Sequence, residues 1–180
     1  MIAEQNRATV PDALAARLSG DVFVVGVGNP LLGDDAAGCL VARGLVGTPG
    51  LEVIQADEVP ESHFGRILDA APDVVVFVDA VDLGARPGSV AVLEAEALAR
   101  YEPSTHRVPV GLVADLLRRQ AGADVFVLAV QPRQVVLGSG LSPEVAAAIE
   151  SVIELIRRSL SAGDVTGVAG TSPGREVVEC

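Results

Sequence analysis

The chain contains no lysine, so its 13 basic side chains are all arginine, set against 24 acidic ones. The resulting formal net charge of -11 and pI near 4.5 exclude electrostatic capture of nucleic acid or an anionic lipid surface. A basic or a small partner is easier to accommodate. Cysteine is nearly absent too: Cys39 lies among apolar helix residues and Cys180 ends the sequence, with no CxxC pair and no disulfide framework, so Cys39 is read as a core thiol. No apolar run approaches the roughly 18 residues that would span a bilayer. The polar start MIAEQNRATVPDALAARLSG lacks the basic end and apolar centre of a signal peptide. A cytoplasmic protein without membrane insertion is expected. Other catalytic and nucleotide signatures are missing as well: there is no GxxxxGK[ST] loop, HExxH or internal repeat.

What is there is a hydrophobic, core-forming domain: 180 residues, 49% apolar, with a mean hydropathy of +0.44. The most informative stretch is DVFVVGVGNPLLGDDAAGCLVARGL, residues 21–45. Its β-branched and aromatic run Val22–Val27 suits a buried parallel strand. Gly26, Gly28, Asn29-Pro30 and Gly33 turn the chain. Asp34 or Asp35 can then accept hydrogen bonds from the N–H groups opening a helix through Ala36, Leu40, Val41 and Leu45. Further strands are predicted at 51–56, 73–81, 89–94 and 124–130, that at 89–94 suited to an edge, and a short strand at 134–137. Helices are predicted at 61–70, from Pro109 (burying Leu112, Val113, Leu116 and Leu117), and from Ser142-Pro143 through Val145, Ile149, Val152, Ile153, Leu155 and Ile156. PDALAARL is a short helix at most, inside an N-terminal extension over 1–20 that precedes the domain at 21–160. Residues 161–180 lack periodicity and read as a flexible tail. The alternation implies an α/β three-layer sandwich with a mostly parallel central sheet and helices on both faces.

Right-handed crossovers gather the strand-end loops on one rim, where α/β sheets place their ligands. Asp34 or Asp35, then Asp79 and His106, meet there. Two carboxylates and an imidazole can hold a divalent transition metal with open positions. The plainer reading is a helix cap, a solvated strand end and an ordinary loop histidine. His63 competes as a ligand but falls on the outer face of a helix. Asp57, Glu58 and Glu61 share the rim, with Glu58 read as solvated and Asp57 left open. A dinucleotide loop fits poorly, because Leu31 stands where the third glycine of GxGxxG belongs and two aspartates would face the pyrophosphate.

GVGNPLLGDDAAG, VDAVDLGARPG, STHRVPVGLVADLL and VQPR, in this order and at these intervals, resemble the maturation endopeptidases of NiFe-hydrogenases, especially the group that processes hydrogenase-3-type large subunits. The resemblance spans roughly residues 22–158. It implies a nickel-dependent endopeptidase that removes the C-terminal extension of a nickel-loaded large-subunit precursor, acting as a monomer on a protein substrate. It carries the metal-contacting positions onto Asp35, Asp79 and His106, leaves Asp34 as a helix cap, and has the nickel presented by the substrate, with zinc or another divalent metal accepted in vitro. The family's usual glycine pair after the second strand is missing. Gln55-Ala56-Asp57-Glu58 stands there, which restricts backbone angles, adds charge and implies a divergent hydrogenase partner. A non-catalytic precursor- or metal-binding assembly module of the same fold is the alternative.

Overall fold

Strict alternation along the strands sends successive apolar side chains into two separate cores, one on each side of a five-stranded sheet. The computed structural model describes residues 9–98 and 109–163. Its strands are β1 (Val22–Val27), β2 (Leu51–Asp57), β3 (Val74–Ala80), β4 (Val90–Glu94) and β5 (Asp124–Val130), in spatial order β2-β1-β3-β5-β4. All neighbours run parallel except β4, which pairs antiparallel with β5 as an edge strand. The central strands β1, β3 and β5 are covered on both faces, which explains their nearly unbroken apolar runs.

On one face, Val22 and Val24 of β1, Val74, Val76 and Val78 of β3, and Phe126, Leu128 and Val130 of β5 are covered by three helices. These are α1 (Val10–Arg17), α2 (Ala37–Leu45) and α6 (Pro143–Gly163). Phe23, Val25, Val75, Phe77, Val125 and Val127 enter the opposite core under α3 (Phe64–Ala70), α4 (Ala95–Leu98) and α5 (Val110–Ala121). Burial of each such side chain contributes about 1.5–3 kcal/mol. The three-layer α/β sandwich expected from the sequence is the fold observed.

The helix in PDALAARL is α1. Thr9 caps it by accepting the Asp12 N–H, and Leu14 and Leu18 are fully buried. Arg17 fastens it to the sheet edge, pairing with Glu94 and Asp124 while stacking 4.0 Å over the Phe126 ring.

Several local expectations need correction. The two helices after β1 and β2 each begin as a 3₁₀ turn, at Gly33–Ala36 and Pro60–His63, because neither start carries a side-chain cap. Residues 134–137 form no strand; the Gln134 N–H and carbonyl are spent on Asp34 in the loop after β1, and the Val136 carbonyl on Ser139. In α5, Leu112 and Leu116 are 50% and 39% exposed. The buried stripe is Val110, Val113, Ala114 and Leu117, and each exposed leucine sits about 100° round the helix from it. The irregular segment holding His106 and the expected tail lie largely outside the described residues. Among the described residues no helix is long and apolar enough to cross a membrane.

One close contact seats α2 over the strand ends. A Cβ on Gly38 would lie 2.0 Å from the Val78 carbonyl oxygen and 2.2 Å from that of Val27, so only glycine lets the helix rest there. Gly38→Ala is expected to destabilise the fold by about 1–3 kcal/mol by lifting α2 off β1 and β3. A urea midpoint equal to that of the unaltered protein would show that the helix has room to spare.

Candidate functional site

The site grows from the turn that ends β1. Gly28 adopts φ 133°, and a Cβ there would come within 1.8 Å of the Asp35 carbonyl oxygen. The chain can therefore fold back on itself only with glycine at this position. The Gly28 N–H donates to the Asp57 carbonyl at 2.8 Å, and the Asn29 N–H donates to Asp35 Oδ2 at 2.8 Å. Asn29 Oδ1 in turn accepts the Leu31 N–H, an Asx turn that keeps the loop tight. With both N–H groups committed internally, they are not offered to a phosphate, which weighs against a nucleotide loop.

Three carboxylates lie at the same end of three adjacent strands, each near enough to the Cys39 thiol to act on its charge. Asp35 follows β1 and is half-buried. Asp79 is the penultimate residue of β3, also half-buried, with Oδ1 accepting the Ala80 N–H at 2.8 Å. Asp57 ends β2 at a bulge opposite Gly26 and Val27, in left-handed backbone geometry (φ 48°). That is the conformation glycine favours, at the segment where the sequence departs from a glycine pair. The buried Cys39 thiol donates to the Gly28 carbonyl at 3.3 Å and to Asp57 Oδ1 at 3.7 Å. Burial, and then the nearby charges of Asp57, Asp35 and Asp79, push this thiol up to about 12. Cys39 is therefore protonated at neutral pH and is no nucleophile.

The hydrogenase maturation protease family model matches residues 46–159. The chain is 30% identical over 131 residues to the hydrogenase 3 maturation protease of Escherichia coli K12, covering 71% of this chain and 83% of that protein. It is 32% identical over 146 residues to a putative hydrogenase maturation protease of Methanocaldococcus jannaschii, covering 76% and 94%. The crystal structure of a NiFe hydrogenase maturation protease from Thermococcus kodakarensis superposes with a TM-score of 0.75 at 34% identity, over 83% of this chain and 99% of that one. The chain belongs to the hydrogenase maturation protease family.

Within this family member the two adjacent aspartates have separate tasks. Asp34 caps no helix, contrary to the sequence reading. It is fully buried, and its Oδ2 accepts the N–H groups of Arg133 (2.8 Å) and Gln134 (3.1 Å) and the Ser142 hydroxyl (2.9 Å), while Oδ1 accepts the Ser142 N–H (2.7 Å). Ser142 accordingly starts α6 with its hydroxyl turned to Asp34. Burial pushes the Asp34 pKa up, but the donors from Ser142, Arg133 and Gln134 outweigh it and hold the carboxyl below its ordinary value. Asp35, facing the rim, remains the candidate for chemistry.

Sequence reasoning missed Gln131. Its buried amide uses its full bonding capacity: Oε1 accepts from the Leu83 and Ala85 N–H groups, and Nε2 donates to Asp82 Oδ1 and the Pro132 carbonyl. It thereby ties down the connection that leaves Asp79. The available signal was a polar residue ending a buried strand before proline, in VQPR. His63 is half-buried at the end of a 3₁₀ turn rather than on the outer face of a helix, and Glu58 is half-buried rather than solvated. Glu61 is exposed.

His106, the third predicted ligand, lies outside the described residues. Among the described residues no three His, Cys, Asp or Glu side chains are grouped to hold a metal ion. The carboxylate pair by itself suits partial contact with a divalent metal rather than a complete cage. Two surface concavities, beside Val46, Pro49 and Arg157 and beside Pro11, Ala15 and Arg158, contain none of these acids.

Two outcomes follow from this geometry. Asp34→Asn must aim an amide N–H at one of the donors, and is expected to cost about 2–4 kcal/mol at neutral pH. Because the folded carboxyl titrates below its unfolded value of about 3.9, the stability it supplies is complete above that pH and is lost as pH falls through the folded pKa. Unfolding midpoints of the two proteins should thus converge below about pH 4, and a gap independent of pH would contradict the assignment. In a Cys180→Ser background, Cys39 should resist a thiol reagent at pH 8 in the native state and react on unfolding. Rapid native labelling would refute the neutral, buried thiol.

Proposed function

We propose that this chain is an endopeptidase that removes the C-terminal extension of a nickel-loaded NiFe-hydrogenase large-subunit precursor, with Asp35, Asp79 and His106 as the working residues. The observation that supports it most is the convergence of Asp35 and Asp79 from the ends of neighbouring central strands, in a chain of the hydrogenase maturation protease family. On this reading the protein works in the cytoplasm as a monomer, and the nickel arrives as part of the substrate. The carboxylates and His106 would complete the contacts of that ion, and zinc or another divalent metal could stand in for it in vitro.

Hydrolysis needs three things from the protein. The scissile peptide must be held beside the acids, a water must be oriented towards its carbonyl carbon, and a proton must pass from that water to the departing amine as the C–N bond breaks. A carboxylate kept in place by a backbone N–H, as Asp35 is by Asn29 and Asp79 by Ala80, is suited to orienting water and carrying that proton. A metal at the site would polarise the carbonyl or acidify the water. Cys39 has no part in the chemistry beyond filling the space between the acids with an uncharged group.

Incubation with the nickel-loaded precursor from the same source, followed by intact mass, tests this reading. Loss of a C-terminal peptide is expected only when nickel is present, and Asp35→Asn, Asp79→Asn and His106→Ala should each slow it by about a hundredfold or more. Cleavage that survives all three substitutions would overturn the site. A stable complex with no change of mass would instead favour the non-catalytic binding module.

A further inference from the structure

We propose that the exposed apolar crest formed by Leu31, Val135, Val136 and Leu137 is a docking ledge for an apolar stretch of the precursor protein, beside the cleavage site. This rests on the precursor-processing reading above and names the surface by which that substrate is held.

These side chains are 67%, 49%, 55% and 73% exposed, and they cluster on two loops that the backbone laces together. The Gly138 N–H donates to the Leu31 carbonyl at 2.9 Å, and the Asp34 N–H donates to the Gln134 carbonyl at 3.2 Å. Ser139 closes the turn with its N–H and hydroxyl on the Val136 carbonyl, at 3.1 and 2.7 Å. The buried Asp34 carboxylate grips the same loop at Arg133, Gln134 and Ser142. A slack loop would fold its valines and leucine inward, whereas this one is anchored by its backbone with the apolar side chains left outside. Exposed apolar side chains carried on backbone-anchored loops in this way mark a protein-binding surface, and anchoring lowers the ordering cost on association.

Charge narrows the partner. In a chain of net charge -11, residues 134–142 carry no charged side chain. Docking there removes water from apolar groups without stripping a carboxylate, which suits an apolar protein segment. Position selects the substrate over a second copy of this chain. Leu31 is two residues from Asn29, whose N–H holds Asp35, so whatever lies on the crest lies beside that acid. A substrate gains by being held there, while a second copy would block the site.

The test is the triple variant Leu31→Ser/Val136→Ser/Leu137→Ser, assayed for cleavage of the nickel-loaded precursor, with precursor binding and sedimentation measured in parallel. A rise in KM of about tenfold or more with kcat retained at saturating precursor is expected, and Leu31→Met and Leu137→Met should keep the normal KM. The substituted side chains face solvent, so the unfolding midpoint should hold; if it falls, Leu137→Ser alone carries the test. An unchanged KM while the unaltered protein cleaves normally overturns the ledge and leaves the peptidase reading standing. Self-association of the unaltered protein that the triple variant abolishes also overturns it, in favour of a second copy. Absence of both cleavage and binding by the unaltered protein defeats the precursor-processing reading, and the ledge falls with it.

Discussion

The structure depends on a buried carboxylate that, among the described residues, makes no ion pair and is held by neutral donors. Removing a charge such as that of Asp34 from water costs several kcal/mol, and four donors from residues 133, 134 and 142 offset it with charge-assisted hydrogen bonds. Those donors are about a hundred residues away in sequence, so one side chain joins the loop after β1 to the loop after β5 and to Ser142, the residue before α6. The rim of the sheet becomes a single body in place of separate loops. Asp35, the apolar crest and the entry of α6 then take up positions relative to one another that no local preference would impose.

A second constraint is steric. Glycines at 26, 28 and 38 let a helix and a turn lie directly on the ends of β1 and β3, closer than any side chain would allow. That contact brings carboxylates from β1, β2 and β3 around one thiol. Gathering like charges on a rim is unfavourable for the protein alone and would be relieved by a cation or a basic group. Cys39 is compatible with this arrangement because it stays neutral.

Family membership and geometry meet at this rim. A protease acting on a protein, as proposed, would have to hold a chain as well as break it, and the loop that presents Asp35 also presents Leu31 of the apolar surface. Asp34 underlies both loops through its bonds to residues 133, 134 and 142. Gln131 does comparable work for the connection leaving Asp79, spending all its bonds on neighbouring backbone and on Asp82.

The sequence by itself determined the fold class, because apolar runs with period two and period 3.6 can be satisfied by few layer arrangements, and parallel right-handed crossovers send every strand-end loop to one rim. It also sent Asp34 or Asp35, and Asp79, to that rim, since acids at the ends of central strands fall there whatever the detail; the preference for Asp35 over Asp34 came from the family resemblance alone. Only the tertiary structure decided that Asp34 looks inward to residues 133–142, that Asp57 joins Asp35 and Asp79 through a bulge and a left-handed residue, and that residues 134–137 become a crest rather than a strand. It likewise turned Leu112 and Leu116 away from the core. The physical reason is common to all four: hydrogen bonds and packing partners distant in sequence made these choices, and a local pattern holds no record of them.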